Sequence, residues 1–168
     1  MTLPLPELER VELDVLPGRR VEADLEIRVH TRDGIYRVPV TAGKVELWVP
    51  EDGLRGLDLA LVSGRSDAVW HPPARDSVPK TLDTPLGSLR GTLVDTSGSP
   101  VPDYQFTLLR GGRDTVSLRL VTDSQGSFAL SDLPTGTYRA SLKVQAEITV
   151  REGRKTEATL EYTGPPLR

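Results

Sequence analysis

The residues best suited to chemistry are few and scattered. There are two histidines, His30 and His71, and no cysteine in 168 residues. Ser66 and Asp67 lie just before His71, so the residue types of a serine-hydrolase triad occur in one short stretch. That chemistry needs the serine on a strained elbow with a base held against it, and no such motif surrounds Ser66. His71 therefore reads as an exposed loop histidine. His30 with Asp33 is too sparse a donor set for zinc, and no spacing matches a zinc or EF-hand site. Glu51 and Asp52, next to Gly53, form a local carboxylate pair that reads as a solvated turn, because calcium needs several more oxygens. Arg110-Gly111-Gly112-Arg113 joins two strand patterns, whereas a phosphate loop would open a helix. These readings predict no enzyme, no cofactor and no metal site.

The elements that carry these residues are strands. Val21, Ala23, Leu25, Ile27 and Val29 alternate with Glu22, Asp24, Glu26, Arg28 and His30, the pattern of a half-buried antiparallel strand. Asp33-Gly34 supplies turn chemistry before Tyr36, Val38 and Val40 resume the alternation. Val45, Leu47 and Val49 form the next run, Leu57, Leu59 and Leu61 another, and Val11, Leu13 and Val15 a first one. No segment holds a helical apolar stripe beyond two turns. The phase of the 45–49 run is informative: with Val45, Leu47 and Val49 inward, Lys44, Glu46 and Trp48 must face outward. An outward tryptophan is either covered by another domain or part of a binding surface. Trp48, Lys44 and Glu46 are therefore candidate partner-binding residues, with Arg110 and Arg113 at a hairpin tip as further candidates. Trp70 is expected to pack down the segment that follows it.

Residues 71–87 hold Pro72, Pro73, Pro79 and Pro85, which cannot donate to a ladder and restrict their predecessors. The layout this predicts is a β-domain over 1–70, a proline-rich linker over 71–86, a β-sandwich over 87–163 and a tail over 164–168. The second unit reads as short strands centred on Leu93, Phe106, Leu118, Phe128, Tyr138 with Leu142, Ile148 and Leu160, joined by glycine turns. Leu89-Arg90-Gly91-Thr92-Leu93-Val94-Asp95 with Gly98-Ser99-Pro100-Val101-Pro102 resembles the opening of carboxypeptidase regulatory-like domains, relatives of the transthyretin (prealbumin)-like and Cna B-type sandwiches. Thr122-Asp123-Ser124-Gln125-Gly126-Ser127-Phe128, Leu133-Pro134-Thr135-Gly136-Thr137-Tyr138 and Val150-Arg151-Glu152-Gly153 continue the likeness. Alternation and turn spacing predict an all-β protein of two small β-units, the first of which resembles no family. The resemblance covers residues 87–163 and implies that this second unit is a seven-stranded Greek-key antiparallel sandwich. It also raises the self-made lysine isopeptide bond of some Cna B-type domains. This chain has no asparagine and no lysine in residues 87–95, so no such bond is expected.

A formal net charge of −3 gives neither half the basic excess that phosphate binding demands, which argues against a nucleic-acid partner. No apolar run is long enough to cross a bilayer as a helix, so no membrane partner is expected. The residues from Met1 to Glu7 show neither a basic nor an apolar leader region, and the absence of cysteine fits a reducing compartment. The preferred expectation is a cytoplasmic, non-catalytic protein–protein interaction module, an accessory or regulatory subunit. The alternative is a secreted or cell-surface structural or carbohydrate-binding module whose export signal is missing.

Overall fold

The computed structural model describes residues 8–50, 54–72, 78–112, 114–140 and 143–165, and they form strands and turns with no helix. The first half contributes β1 (Leu8–Val15), β2 (Asp24–Thr31), β3 (Ile35–Pro39), β4 (Lys44–Pro50), β5 (Leu54–Ser63) and β6 (Ser66–His71). The connecting pair β7 (Thr81–Leu82) is followed by β8 (Leu86–Val94), β9 (Gln105–Arg110), β10 (Thr115–Val121) and β11 (Ser127–Pro134). The chain closes with β12 (Gly136–Ala140), β13 (Val144–Gln145), β14 (Glu147–Val150) and β15 (Lys155–Tyr162).

Three sheets arise from these strands: β4-β1-β7, β11-β8-β15-β13, and a long one ordered β14-β12-β9-β10-β6-β5-β2-β3. The alternating runs explain why. Ile27 and Val29 of β2, Leu57, Leu59 and Leu61 of β5, and Val45, Leu47 and Val49 of β4 are all buried. Packed face to face, these stripes fill the space between the long sheet and the three-stranded one. In the second half Leu93, Phe106, Leu118, Phe128, Tyr138 and Leu160 are buried, as their phase requires, while Leu142 lies outside the described residues. Gly98 and Gly126 take φ of 84° and 72° in turns whose aspartates, Asp95 and Asp123, each accept backbone N–H bonds from the residues two and four further on.

The structure differs from the sequence reading in four places. Ser66–His71 is a strand, so His71 belongs to β6 rather than to a linker, and Trp70 beside it is buried in the core. The strand expected from Val21 begins to pair at Asp24, because the N–H groups of Glu22 and Ala23 are taken by the Asp132 carboxylate. The run expected from Tyr138 through Val144 is two strands in different sheets, with Lys143 at φ 62° just before the second. The second sandwich is not antiparallel throughout: β15 lies parallel to β8 over seven paired positions, Lys155↔Ser88 to Glu161↔Val94.

The long sheet also runs across the boundary drawn at 71–86. β6 pairs with β10 from Thr115↔His71 to Arg119↔Asp67, so the two sandwiches share hydrogen bonds at the middle of one sheet. Side chains reinforce this seam. The Trp70 indole N–H donates to Asp114 at 2.6 Å, Arg119 pairs with Asp67, and Arg65 with Asp103 at 2.9 Å.

Candidate functional site

Pairing of β1 with β4 sets Arg10 opposite Trp48, Glu12 opposite Glu46 and Asp14 opposite Lys44. Since opposed residues in an antiparallel pair share a face, these six side chains stand together on the outer surface of the three-stranded sheet. Glu12 opposite Glu46 would repel, and Arg10 resolves the conflict by bonding Glu46 at 2.7 Å and Glu12 at 3.2 Å. The hydrogen bond and charge of Glu46 raise the Arg10 pKa above its ordinary value. Lys44 approaches Asp14 at 3.8 Å. Trp48 stands at one end of this charged ladder, 59% exposed, with Leu8 on the same face 51% exposed. The ring is thus more than half uncovered.

Arg110 does not stand free at a hairpin tip. Its guanidinium turns back to pair with Asp114 and to donate to the Thr135 carbonyl, and its side chain is 14% exposed. Arg110 lies against Gly136, where a Cβ would strike its Cδ at 2.5 Å. It is a structural residue of the seam beside Trp70. Arg113 falls outside the described residues.

The two histidines meet at a residue that the sequence reading passed over. His30 Nε2 lies 2.6 Å from one oxygen of Asp58 and His71 Nδ1 lies 2.7 Å from the other. As a carboxylate, Asp58 accepts from both rings, which places the proton of His30 on Nε2 and that of His71 on Nδ1. The cluster ties β2, β5 and β6 together across the outer face of the long sheet, with Asp58 itself buried. The signal for it was present, since Asp58 and His30 occupy the polar phases of their strands; what was missing was that β2 and β5 are neighbours. Ser66, Asp67 and His71 are not assembled into a triad. Ser66 accepts the Val121 N–H at 3.2 Å, Asp67 holds Arg119 and His71 holds Asp58. Among the described residues no group of three or more histidine or acidic side chains is arranged to hold a metal ion.

The carboxypeptidase regulatory-like domain family model matches residues 88–163. Residues 88–163 are a carboxypeptidase regulatory-like domain. In this domain the family's turn and core positions do structural work: Tyr138 is fully buried and its hydroxyl donates to the Pro134 carbonyl. No curated protein matches the chain. Among solved structures the chain is similar to GBS52, the minor pilin of Streptococcus agalactiae, at 15% identity over 95% of this chain and 98% of that one, with a TM-score of 0.35. It is also similar to the shaft pilin spaA of Lactobacillus rhamnosus GG, at 8% identity over 95% of this chain and all of that one, with a TM-score of 0.31. Likeness at this level carries no functional argument. The regulatory-like domain thus accounts for the second half, and the surface around Trp48 belongs to the half that precedes it.

Proposed function

We propose that the chain is a non-catalytic β-sandwich module that works by docking to another protein through the outer face of β1 and β4. The observation that carries this is the exposure of Trp48 on a regular, rigid sheet between Arg10, Leu8 and Glu46. Indole placed in water on a strand is costly to leave bare, and hiding it returns about 25 cal/mol per Å² of apolar surface. A flanking arginine and a pair of carboxylates give the polar rim that protein interfaces use. A sugar platform is less well supported, because carbohydrate stacking uses several aligned rings and this face carries no second aromatic. An extracellular structural setting accords better than the cytoplasm with the pilins among the similar structures.

The test is position-specific photocrosslinking in the native host. A photoreactive residue at position 48 is expected to trap one defined protein, while the same residue at the outward Thr159 of β15 does not. Trp48→Ala should then weaken binding of that protein by more than about 1 kcal/mol, roughly fivefold or more. Identical adducts from both positions, with Trp48→Ala binding as tightly as the parent, would remove the proposal.

A further inference from the structure

Two tyrosines of the second half meet ring to ring across its two layers. Tyr104 stands immediately before β9 of the long sheet, and Tyr162 ends β15 of the four-stranded sheet. Their ring centroids are 4.9 Å apart with the planes inclined at 68°, an edge-on contact. Both rings are held from their backbones. The Tyr104 N–H donates to the Thr122 hydroxyl at 2.8 Å and its carbonyl accepts the Thr122 N–H at 3.0 Å, while Tyr162 pairs with Val144. Gly164 lies against the Tyr162 phenol, where a Cβ would collide with it. The hydroxyl ends also lie together. That of Tyr162 donates to the Pro165 carbonyl at 3.1 Å, which leaves its oxygen able to accept from Tyr104. Burial raises the Tyr104 pKa above its ordinary value, and the charge and hydrogen bonding of Tyr162 add to the rise.

We propose that Tyr104 and Tyr162 are an oxidative cross-linking site, at which a carbon–carbon bond between the rings staples the two layers of the second sandwich. The chemistry needs a one-electron oxidant from outside, of the kind a haem peroxidase makes from hydrogen peroxide. Each phenol gives up one electron and one proton, and the two radicals join through the ring carbons next to their hydroxyls. The hydrogens on those carbons then move to the phenolic oxygens. The protein thus loses two hydrogen atoms, and one peroxide becomes two waters. The product carries its two hydroxyls flanking the new bond, the side-by-side placement already present in the native pair. Tyr104 is half-buried and can meet the oxidant, while Tyr162 is enclosed behind it and is oxidised through the contact. The other two tyrosines are placed differently, Tyr138 sealed in the core and Tyr36 exposed in the first half. No cysteine is present to intercept a radical. This site lies in the second half and does not involve the surface around Trp48.

The test is oxidation of the full chain at high dilution with a haem peroxidase and hydrogen peroxide. A photoactivated ruthenium complex with persulfate, small enough to reach half-buried rings, is used in parallel. The monomer is then isolated, weighed and digested. The expected product is lighter by two hydrogen atoms and gives one cross-linked peptide pair that joins Tyr104 to Tyr162. Its yield should be at least about tenfold higher from folded protein than from protein in urea, because only the fold holds the rings together. Tyr104→Phe should abolish the link, and Tyr36→Phe should leave it. The linked monomer should melt at least about 5 °C above the parent, since a closed loop restricts the unfolded chain. Absence of the link with both oxidants overturns the proposal. So does a link that survives Tyr104→Phe, forms equally in urea, or leaves the melting temperature unchanged.

Discussion

In the second half Phe106 meets Phe128 edge to face at 5.4 Å, Tyr104 meets Tyr162 at 4.9 Å, and Tyr138 is wholly enclosed. In the first half Trp48 and Tyr36 are more than half exposed, and Trp70 is inside but bonds across to Asp114 of the other half. The two sandwiches resemble each other in strand pattern and differ in where their large rings go. The second closes over its own aromatic core. The first is built on aliphatic side chains, completes its core at the shared seam, and leaves its remaining rings on the surface. That distribution separates a unit shaped by internal packing from one with surface left over for contact.

The comparison is broken most severely at Gly91. A Cβ there would collide with the Ala158 carbonyl and lie 2.6 Å from Phe128 Cζ, because β8 is held closely between β11 and β15. Gly91→Val is expected to cost more than about 4 kcal/mol, read as loss of the folded second half in a urea titration. Leu118→Ala comes next, at about 2–5 kcal/mol. Because β10 also carries the seam to β6, this substitution should lower a single transition followed both by Trp70 fluorescence and by amide signals of the second half. Two separated transitions would show that the seam does not couple the halves.

Tyr138→Phe should cost about 1–2 kcal/mol by leaving the buried Pro134 carbonyl without its donor. Burial pushes the Tyr138 pKa well above its ordinary 10.0, with Asp114 adding to the rise and Arg110 opposing it. The folded state thus retains the phenolic proton; its contribution is intact below pH 10 and is lost as pH rises beyond it. Equilibrium unfolding at alkaline pH should fall away less steeply in Tyr138→Phe than in the parent. The smallest effect is expected at Trp48→Ala, within about 0.5 kcal/mol in the same unfolding assay, since so exposed a ring contributes little to the fold. A large loss there would mean that the indole is part of the first half's structure, and the contrast between the halves would shrink.

Much of this was legible in the sequence, for a physical reason. Half-buried strands must alternate, so the inward stripes at Ile27–Val29, Val45–Val49 and Leu57–Leu61, and the outward position of Trp48, follow from phase alone. The glycine turns around Asp95 and Asp123 announce themselves by residue type. β6 was hidden because it sits at the middle of the longest sheet, buried on both faces, where alternation fades; Ser66 and Asp67 at its start look like loop residues until Val121 and Arg119 are known to hold them. Arg110 does lie at the hairpin between β9 and β10, but its partners Asp114 and Thr135 are not legible from the local pattern. The Asp58 cluster depends on which strands are neighbours, and no periodicity records that.

The parallel pairing of β8 with β15 has a mechanical consequence. Chain enters β8 at Leu86 and leaves β15 at Tyr162, and the two strands run the same way. Tension applied between those points drags β8 toward its start and β15 toward its end, so the strands slide past each other in shear. The seven paired positions are then loaded together instead of being unzipped one after another. Pulled from its two ends, the regulatory-like domain should resist a load that would peel apart a hairpin of equal length, and its lifetime under tension is set by the unfolding rate of that one strand pair.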